Sequence, residues 1–363
     1  MNILIRADAT VEIGSGHIMR CLTLADMLRK EGAAIYFVCR EMKGHLCDLI
    51  ESKGYPCWRL VNVKQMFDQK QDAMETIHLI ELNGLKVDLI IADHYQIDEQ
   101  WEQVLRKVAP KIMVIDDLAN RRHDCDLLLD QNYFNKFETR YDGLVQANCR
   151  KLLGLKYLLL RPEFYEGNLI EENNYESIND ILVFYGGSDP TNETLKVLDA
   201  LDLVDVNSST IHVVVGSSNS NSELIESRCR DRNYHFYVQI NYLAELMRKA
   251  DLALGAGGVT MWERCFLGLP SIVTVVADNQ RESTEAAAEA GAVWNLGWYE
   301  CVEKENIVDI INRAKVDPDG LKEMSRKAKQ LMQSDIKYKT HPVVGAIMEI
   351  LGHGAGSPSL EID

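Results

Sequence analysis

The sequence lacks any apolar run approaching the roughly 20 residues that cross a bilayer, so membrane insertion is not expected. It also lacks an excess of basic residues. Its 39 Lys and Arg stand against 55 Asp and Glu, a formal charge of −16, which disfavours nucleic acid and anionic membranes as partners. Its nine cysteines are odd in number and scattered, with no C-x-x-C pair, and several sit in apolar segments where a thiol behaves as a small hydrophobe. That usage fits a reducing compartment, and the cytoplasm is the expectation. The opening Met1-Asn2-Ile3-Leu4-Ile5-Arg6 runs straight into a strand-like pattern, without the basic region, apolar core and cleavage site of a signal peptide. No short-period repeat is present.

What is present is a soluble, globular balance of 46% hydrophobic and 26% charged residues, in a chain of 363 that is too long for one ordinary core. Short apolar runs alternate with amphipathic segments, the pattern of a parallel sheet crossed by helices. In the first half the expected strands are Asn2–Arg6, Ala34–Cys39, Asp88–Ala92, Lys111–Ile115 and Asp126–Leu129, with helices over His17–Glu31, around Met66–Leu82 and over Asp98–Val108. A second series runs Ile181–Tyr185, Ile211–Val215, His235–Val238, Leu252–Leu254 and Ser271–Val275. The fold class is therefore α/β, two doubly wound Rossmann-like domains facing a cleft, with ligands at the carboxyl ends of the strands. The expected division is a first domain over 1–162, a polar acidic linker over 163–179 and a second domain over 180–335. A C-terminal helix over 336–351 is expected to return to the first domain, followed by a mobile tail over 352–363.

The loop after the first strand carries Gly14-Ser15-Gly16-His17-Ile18-Met19-Arg20. A dinucleotide fingerprint needs a third glycine where Met19 stands, and no Gly-Lys-Ser/Thr follows for a Walker loop, so neither nucleotide motif applies. What remains is a histidine just after a glycine turn, at a helix start. The helix dipole disfavours extra positive charge there, which suits a general base near neutral pH. A histidine capping or packing the first turn fits the same position, and the residues alone leave both readings open.

An acidic chain can still bind a diphosphate, because backbone N–H groups and helix N-termini hold anions without a basic surface. Gly186-Gly187-Ser188-Asp189-Pro190-Thr191 repeats the strand–loop–helix plan in the second half, where it is either a phosphate cradle or an ordinary turn and cap. Gly255-Ala256-Gly257-Gly258 forms another such loop, and Glu263 follows on the next helix, placed either to accept ribose hydroxyls or to face solvent. Asn279 and Gln280 open a further helix after Ser271–Val275, as ligand contacts or as caps. Asp93-His94-Tyr95 and Asp116-Asp117 end first-domain strands on the same expected rim. Asp124-Cys125-Asp126 matches the Asp-x-Asp of some metal-dependent sugar transferases, a tripeptide that arises easily by chance.

Together these loops resemble the UDP-sugar hydrolase family of the pseudaminic acid pathway, to which the spore-coat polysaccharide proteins are related. The most specific part is Ile5-Arg6-Ala7-Asp8 followed by Ile13-Gly14-Ser15-Gly16-His17-Ile18-Met19-Arg20. It is supported by Asp93-His94-Tyr95, Asp116-Asp117, Leu159-Leu160-Arg161-Pro162-Glu163-Phe164, Gly186-Gly187-Ser188-Asp189 and Asn279-Gln280, across roughly residues 1–295. The resemblance implies a glycosyltransferase-B-type fold and hydrolysis of UDP-2,4-diacetamido-2,4,6-trideoxy-β-L-altropyranose to UDP and the free sugar. It implies inversion, with His17 as the base, and needs neither metal nor cofactor. It further implies Gly16, Asp8, Tyr95 and Asn279 at the sugar, and Gly186, Gly187, Ser188, Gly258, Glu263 and Gln280 at UDP. The expected partner is thus a UDP-sugar, with no nucleic acid, and the expected state a monomer. A glycosyltransferase of the same fold in surface or spore-coat polysaccharide synthesis and a non-catalytic nucleotide-sugar binding protein are the alternatives. Residues beyond about 300 match nothing assignable.

Overall fold

The computed structural model describes residues 1–10, 14–61, 67–165, 175–333 and 340–352. Val11–Ile13 of the first loop, Met66, the acidic Glu171–Asn174 and the tail from residue 353 onward lie outside the described residues. The rest forms two compact units. The first contains Met1–Asn132, Lys136–Leu159 and the C-terminal helix; the second contains Tyr133–Asn135 and the chain from Leu160 through the helix Pro318–Met332.

The first unit holds β1 (Asn2–Ala7), β2 (Ala34–Arg40), β3 (Cys57–Leu60), β4 (Leu89–Asp93), β5 (Lys111–Ile115), β6 (Leu127–Asp130) and β7 (Arg150–Leu153). They pair in parallel in the order β3-β2-β1-β4-β5-β6-β7. Ile3, Leu4 and Ile5 are all fully buried. Successive strand residues face opposite sides, so burial of all three means that both faces of the sheet are covered. Ile3 and Ile5 meet Ile18, Leu24 and Leu28 of the first helix on one face, while Leu4 meets Val38, Ile90 and Trp101 on the other. The helix Pro342–Ile350 completes the first face with Val343, Val344 and Ile347. Pro342 starts it, and His341 Nδ1 accepts the Val343 N–H at 3.3 Å while its Nε2 donates to the Leu158 carbonyl at 3.1 Å. Burial pushes His341 down to about 4, which keeps it neutral and able to cap.

The second unit repeats the plan with β8 (Asp180–Phe184), β9 (Thr210–Val215), β10 (His235–Val238), β11 (Leu252–Ala256), β12 (Ser271–Val275) and β13 (Trp294–Trp298), in the order β10-β9-β8-β11-β12-β13. Its core gathers Ile181, Val183, Val197, Ile211, Leu254 and Ile272 with Ile307, Ile311 and Leu321 from later helices. In each sheet the strand order reverses once, between β1 and β4 and between β8 and β11. A crevice opens at the carboxyl end of such a reversal, and the candidate residues gather around these two points.

Two readings of the sequence need correction. The strands β3, β7 and β13 were not expected. All three are sheet edges, where half-exposed sequences such as Arg150-Lys151-Leu152-Leu153 need no continuous apolar run. The stretch 163–179, expected as a linker, is packed at both described ends. Phe164, Tyr175 and Ile178 are buried, because large apolar side chains gain more from the core than from solvent.

Candidate active site

In the first unit, Gly14 takes a φ of +79°, a turn that favours glycine, and the helix Gly16–Lys30 begins two residues later. His17 is in its first turn, 5% exposed. The ring does not cap that turn. Its Nδ1 instead bonds Oδ1 of Asp93, the last residue of β4. Arg20 Nη2 donates to the same Oδ1 at 2.6 Å and Arg20 Nε to Oδ2 at 2.6 Å. Burial alone would raise the Asp93 carboxyl, but Arg20 and His17 hold it well below the usual carboxylate range. An ionised carboxylate only accepts, so the proton shared with His17 sits on Nδ1. The other ring nitrogen, Nε2, meets no hydrogen-bonding partner among the described residues.

Tyr95 lies edge-on to the His17 ring, with centroids 4.5 Å apart, and its hydroxyl donates to Asp117 Oδ2 at 3.3 Å. Burial and then Asp117 keep that phenol protonated. Asp8, expected beside a sugar, is 2% exposed and already engaged on both oxygens. Arg6 forks onto it at 2.5 and 2.9 Å, the Arg40 N–H donates at 2.7 Å, and His94 Nε2 approaches to 3.3 Å. Asp72 holds Arg6 and Arg40 from the far side and accepts the Trp101 indole N–H at 3.0 Å. Gly16 has open space where a side chain would project.

In the second unit, Gly186 has a φ of +91° and stands with Gly187 and Ser188 after β8, all partly exposed. Gly216, after β9, is pressed against them. A Cβ there would meet the Gly187 carbonyl oxygen at 2.4 Å. Asp189 caps the following helix by accepting from the N–H groups of Glu193 at 3.0 Å and Thr194 at 2.9 Å. Gly258, φ +79°, precedes the helix Val259–Leu267, whose start has no side-chain cap. Gln280 folds over this loop. A Cβ on Gly257 would lie 3.1 Å from its side chain, and its Oε1 accepts the Val276 N–H at 3.1 Å. The glycine loop and the Gln280 turn are thus brought together. Asn279 occupies the same short turn, half-buried and in the second unit, whereas His17 and Tyr95 are in the first.

Glu263 is 4% exposed rather than solvent-facing. Arg161 Nε donates to its Oε1 at 3.2 Å, and its Oε2 is buried without a partner among the described residues. Burial raises this carboxyl despite Arg161. Asp126 of the Asp-x-Asp match is taken by Arg106 at 2.5 Å, Lys111 at 3.0 Å and the Ile112 N–H at 3.0 Å, a structural role. The reading from sequence missed Arg20 as a site residue, although His17, Arg20 and Cys21 fall at i, i+3 and i+4 and so share one helix face. Gly216 carried no comparable signal.

Residues 181–339 match the family model described as the Glycosyltransferase family 28 C-terminal domain. The UDP-2,4-diacetamido-2,4,6-trideoxy-β-L-altropyranose hydrolase of Campylobacter jejuni is 30% identical over 253 residues, covering 69% of this chain and 83% of that one. The chain belongs to this hydrolase's family. Within the same group of relatives, the spore coat polysaccharide biosynthesis protein SpsG of Bacillus subtilis is 26% identical over 315 residues, covering 86% of this chain and 88% of SpsG. An uncharacterized protein of Methanocaldococcus jannaschii is 28% identical over 289 residues, 78% of this chain, and the match spans only 57% of that protein. Among solved structures, MurG of Acinetobacter baumannii superposes with a TM-score of 0.63 at 13% identity, covering 97% of this chain and 99% of MurG. The two parallel-sheet units are thus of the glycosyltransferase-B type. Among the described residues no helix is long and apolar enough to cross a membrane.

Proposed function

We propose that this family member hydrolyses UDP-2,4-diacetamido-2,4,6-trideoxy-β-L-altropyranose to UDP and the free sugar, with His17 as the general base. The observation that carries the reading is the His17 ring, whose Nδ1 bonds the Asp93 carboxylate while its Nε2 has no hydrogen-bonding partner among the described residues. Nε2 takes a proton from water as the water oxygen attacks the anomeric carbon. The bond from that carbon to the diphosphate oxygen breaks with inversion, and UDP leaves with the electron pair. Gly16, Asp8, Tyr95 and Asn279 serve the sugar. Gly186, Gly187, Ser188, Gly258 and Gln280 serve the diphosphate, with the uncapped start of helix Val259–Leu267 supplying N–H groups and positive dipole. Glu263 accepts the ribose hydroxyls, which requires Arg161 to yield part of its hold.

The test is proton NMR of purified protein with the UDP-sugar and no acceptor. Appearance of free sugar, one anomer first, supports hydrolysis. Strict dependence on an acceptor supports instead a glycosyltransferase, the reading favoured by the matched family 28 domain. Binding of UDP-sugar without turnover supports a binding protein.

A further inference from the structure

The first helix delivers three side chains, His17, Arg20 and Cys21, to one carboxylate at the end of β4. Asp93 is 1% exposed and accepts from Arg20 on both oxygens, from Cys21 Sγ at 3.4 Å on Oδ2, and from His17 Nδ1 on Oδ1. The remaining terminal nitrogen of Arg20, Nη1, reaches Asp117 Oδ2 at 3.2 Å, the oxygen that also receives the Tyr95 hydroxyl. Burying a guanidinium and two carboxylates costs several kcal/mol of lost hydration per ion, and apolar residues would join a helix to a strand without that cost. Arg20 Nη2 also lies 3.2 Å from His17 Nδ1. With Oδ1 as the acceptor between them, only the arrangement with a proton on each nitrogen avoids opposing lone pairs.

We propose that Asp93, clamped by Arg20, is a positioning residue that fixes His17 with its proton on Nδ1 and its lone pair on Nε2. The inference rests on the reading of His17 as the base. When His17 accepts the proton from water, Asp93 already faces the new imidazolium.

The experiment uses the full chain. Nitrogen-15 NMR of the imidazoles, with His17→Asn to assign the signals, should show wild-type His17 protonated on Nδ1. Asp93→Asn keeps the shape but can turn its amide N–H toward Nδ1. Its kcat on the UDP-sugar should fall at least about 100-fold with KM within about threefold, and the His17 signals should shift toward the other tautomer. A wild-type His17 protonated on Nε2 overturns the proposal even if Asp93→Asn does not fold. An Asp93→Asn protein with near-normal kcat overturns it while His17→Asn is inactive. If His17→Asn itself hydrolyses normally, the base assignment has failed, and the tautomer spectrum reports separately on the geometry.

Discussion

His17 and Asp93 are hydrogen-bonded through Nδ1 and Oδ1 although 76 residues separate them. The bond ties the start of the first helix to the end of β4, across the one point where the first sheet reverses its strand order. It speaks against the capping half of the capping-or-packing reading that the residues left open. A capping histidine would accept a backbone N–H of its own turn, and this one spends that nitrogen on a distant carboxylate.

A second buried carboxyl in the same unit makes stability depend on pH. Asp130 ends β6, and the Tyr141 hydroxyl lies 3.1 Å from its Oδ2 and 2.9 Å from Asp116 Oδ2. One hydroxyl proton cannot serve both oxygens, so one carboxyl must be a donor. Burial, then the charge of Asp117, push Asp130 up to about 7 from an ordinary 3.8. A folded value above the unfolded one means that the native state holds the extra proton. The resulting stability is full below pH 3.8 and is lost as pH rises to about 7. Asp130→Asn cannot ionise and should escape this loss. Thermal melts from pH 5 to 8 should show wild type losing about 1–3 kcal/mol relative to the variant. Parallel pH curves would contradict the assignment.

Gly216→Ala should damage nucleotide binding without touching any proposed ligand contact. Its Cβ would lie 2.4 Å from the Gly187 carbonyl oxygen and 2.5 Å from the Gly187 Cα, both backbone atoms that cannot rotate away. The 186–188 loop must shift, and UDP affinity by calorimetry should fall at least about tenfold, or about 1.4 kcal/mol. Unchanged affinity would mean that this loop does not hold the diphosphate.

Glu263 can be tested by separating ribose from phosphate. Hydrogen bonds to a charged group are worth about 1.5–3 kcal/mol, so Glu263→Gln should weaken UDP by roughly tenfold to a hundredfold. Its affinity for inorganic diphosphate, which has no ribose, should stay within about twofold. Equal losses for both ligands would point to a collapsed loop instead.

The fold was legible where burial on both faces demands uninterrupted apolar sequence, as in Ile3-Leu4-Ile5 and Leu252-Ala253-Leu254. Edge strands escape that demand, so Cys57–Leu60, Arg150–Leu153 and Trp294–Trp298 carried little signal. The glycine loops were legible because turns and close approaches restrict residue choice, as at Gly14, Gly186 and Gly258. Charge pairing was not. Nothing local to Glu263 announces Arg161, 102 residues earlier, and nothing local to Asp8 says that the Arg40 N–H from the next strand occupies one of its oxygens. Such pairings depend on which strands become neighbours, and a single chain does not spell that out.

The most direct test follows the UDP-sugar by proton NMR with wild type and His17→Asn side by side, in the absence of any acceptor. The account predicts that wild type releases UDP and free sugar with one anomer appearing first. His17→Asn should lose at least about 100-fold in rate while still binding UDP. Hydrolysis by His17→Asn at the wild-type rate, or no hydrolysis by wild type until an acceptor is added, would contradict it.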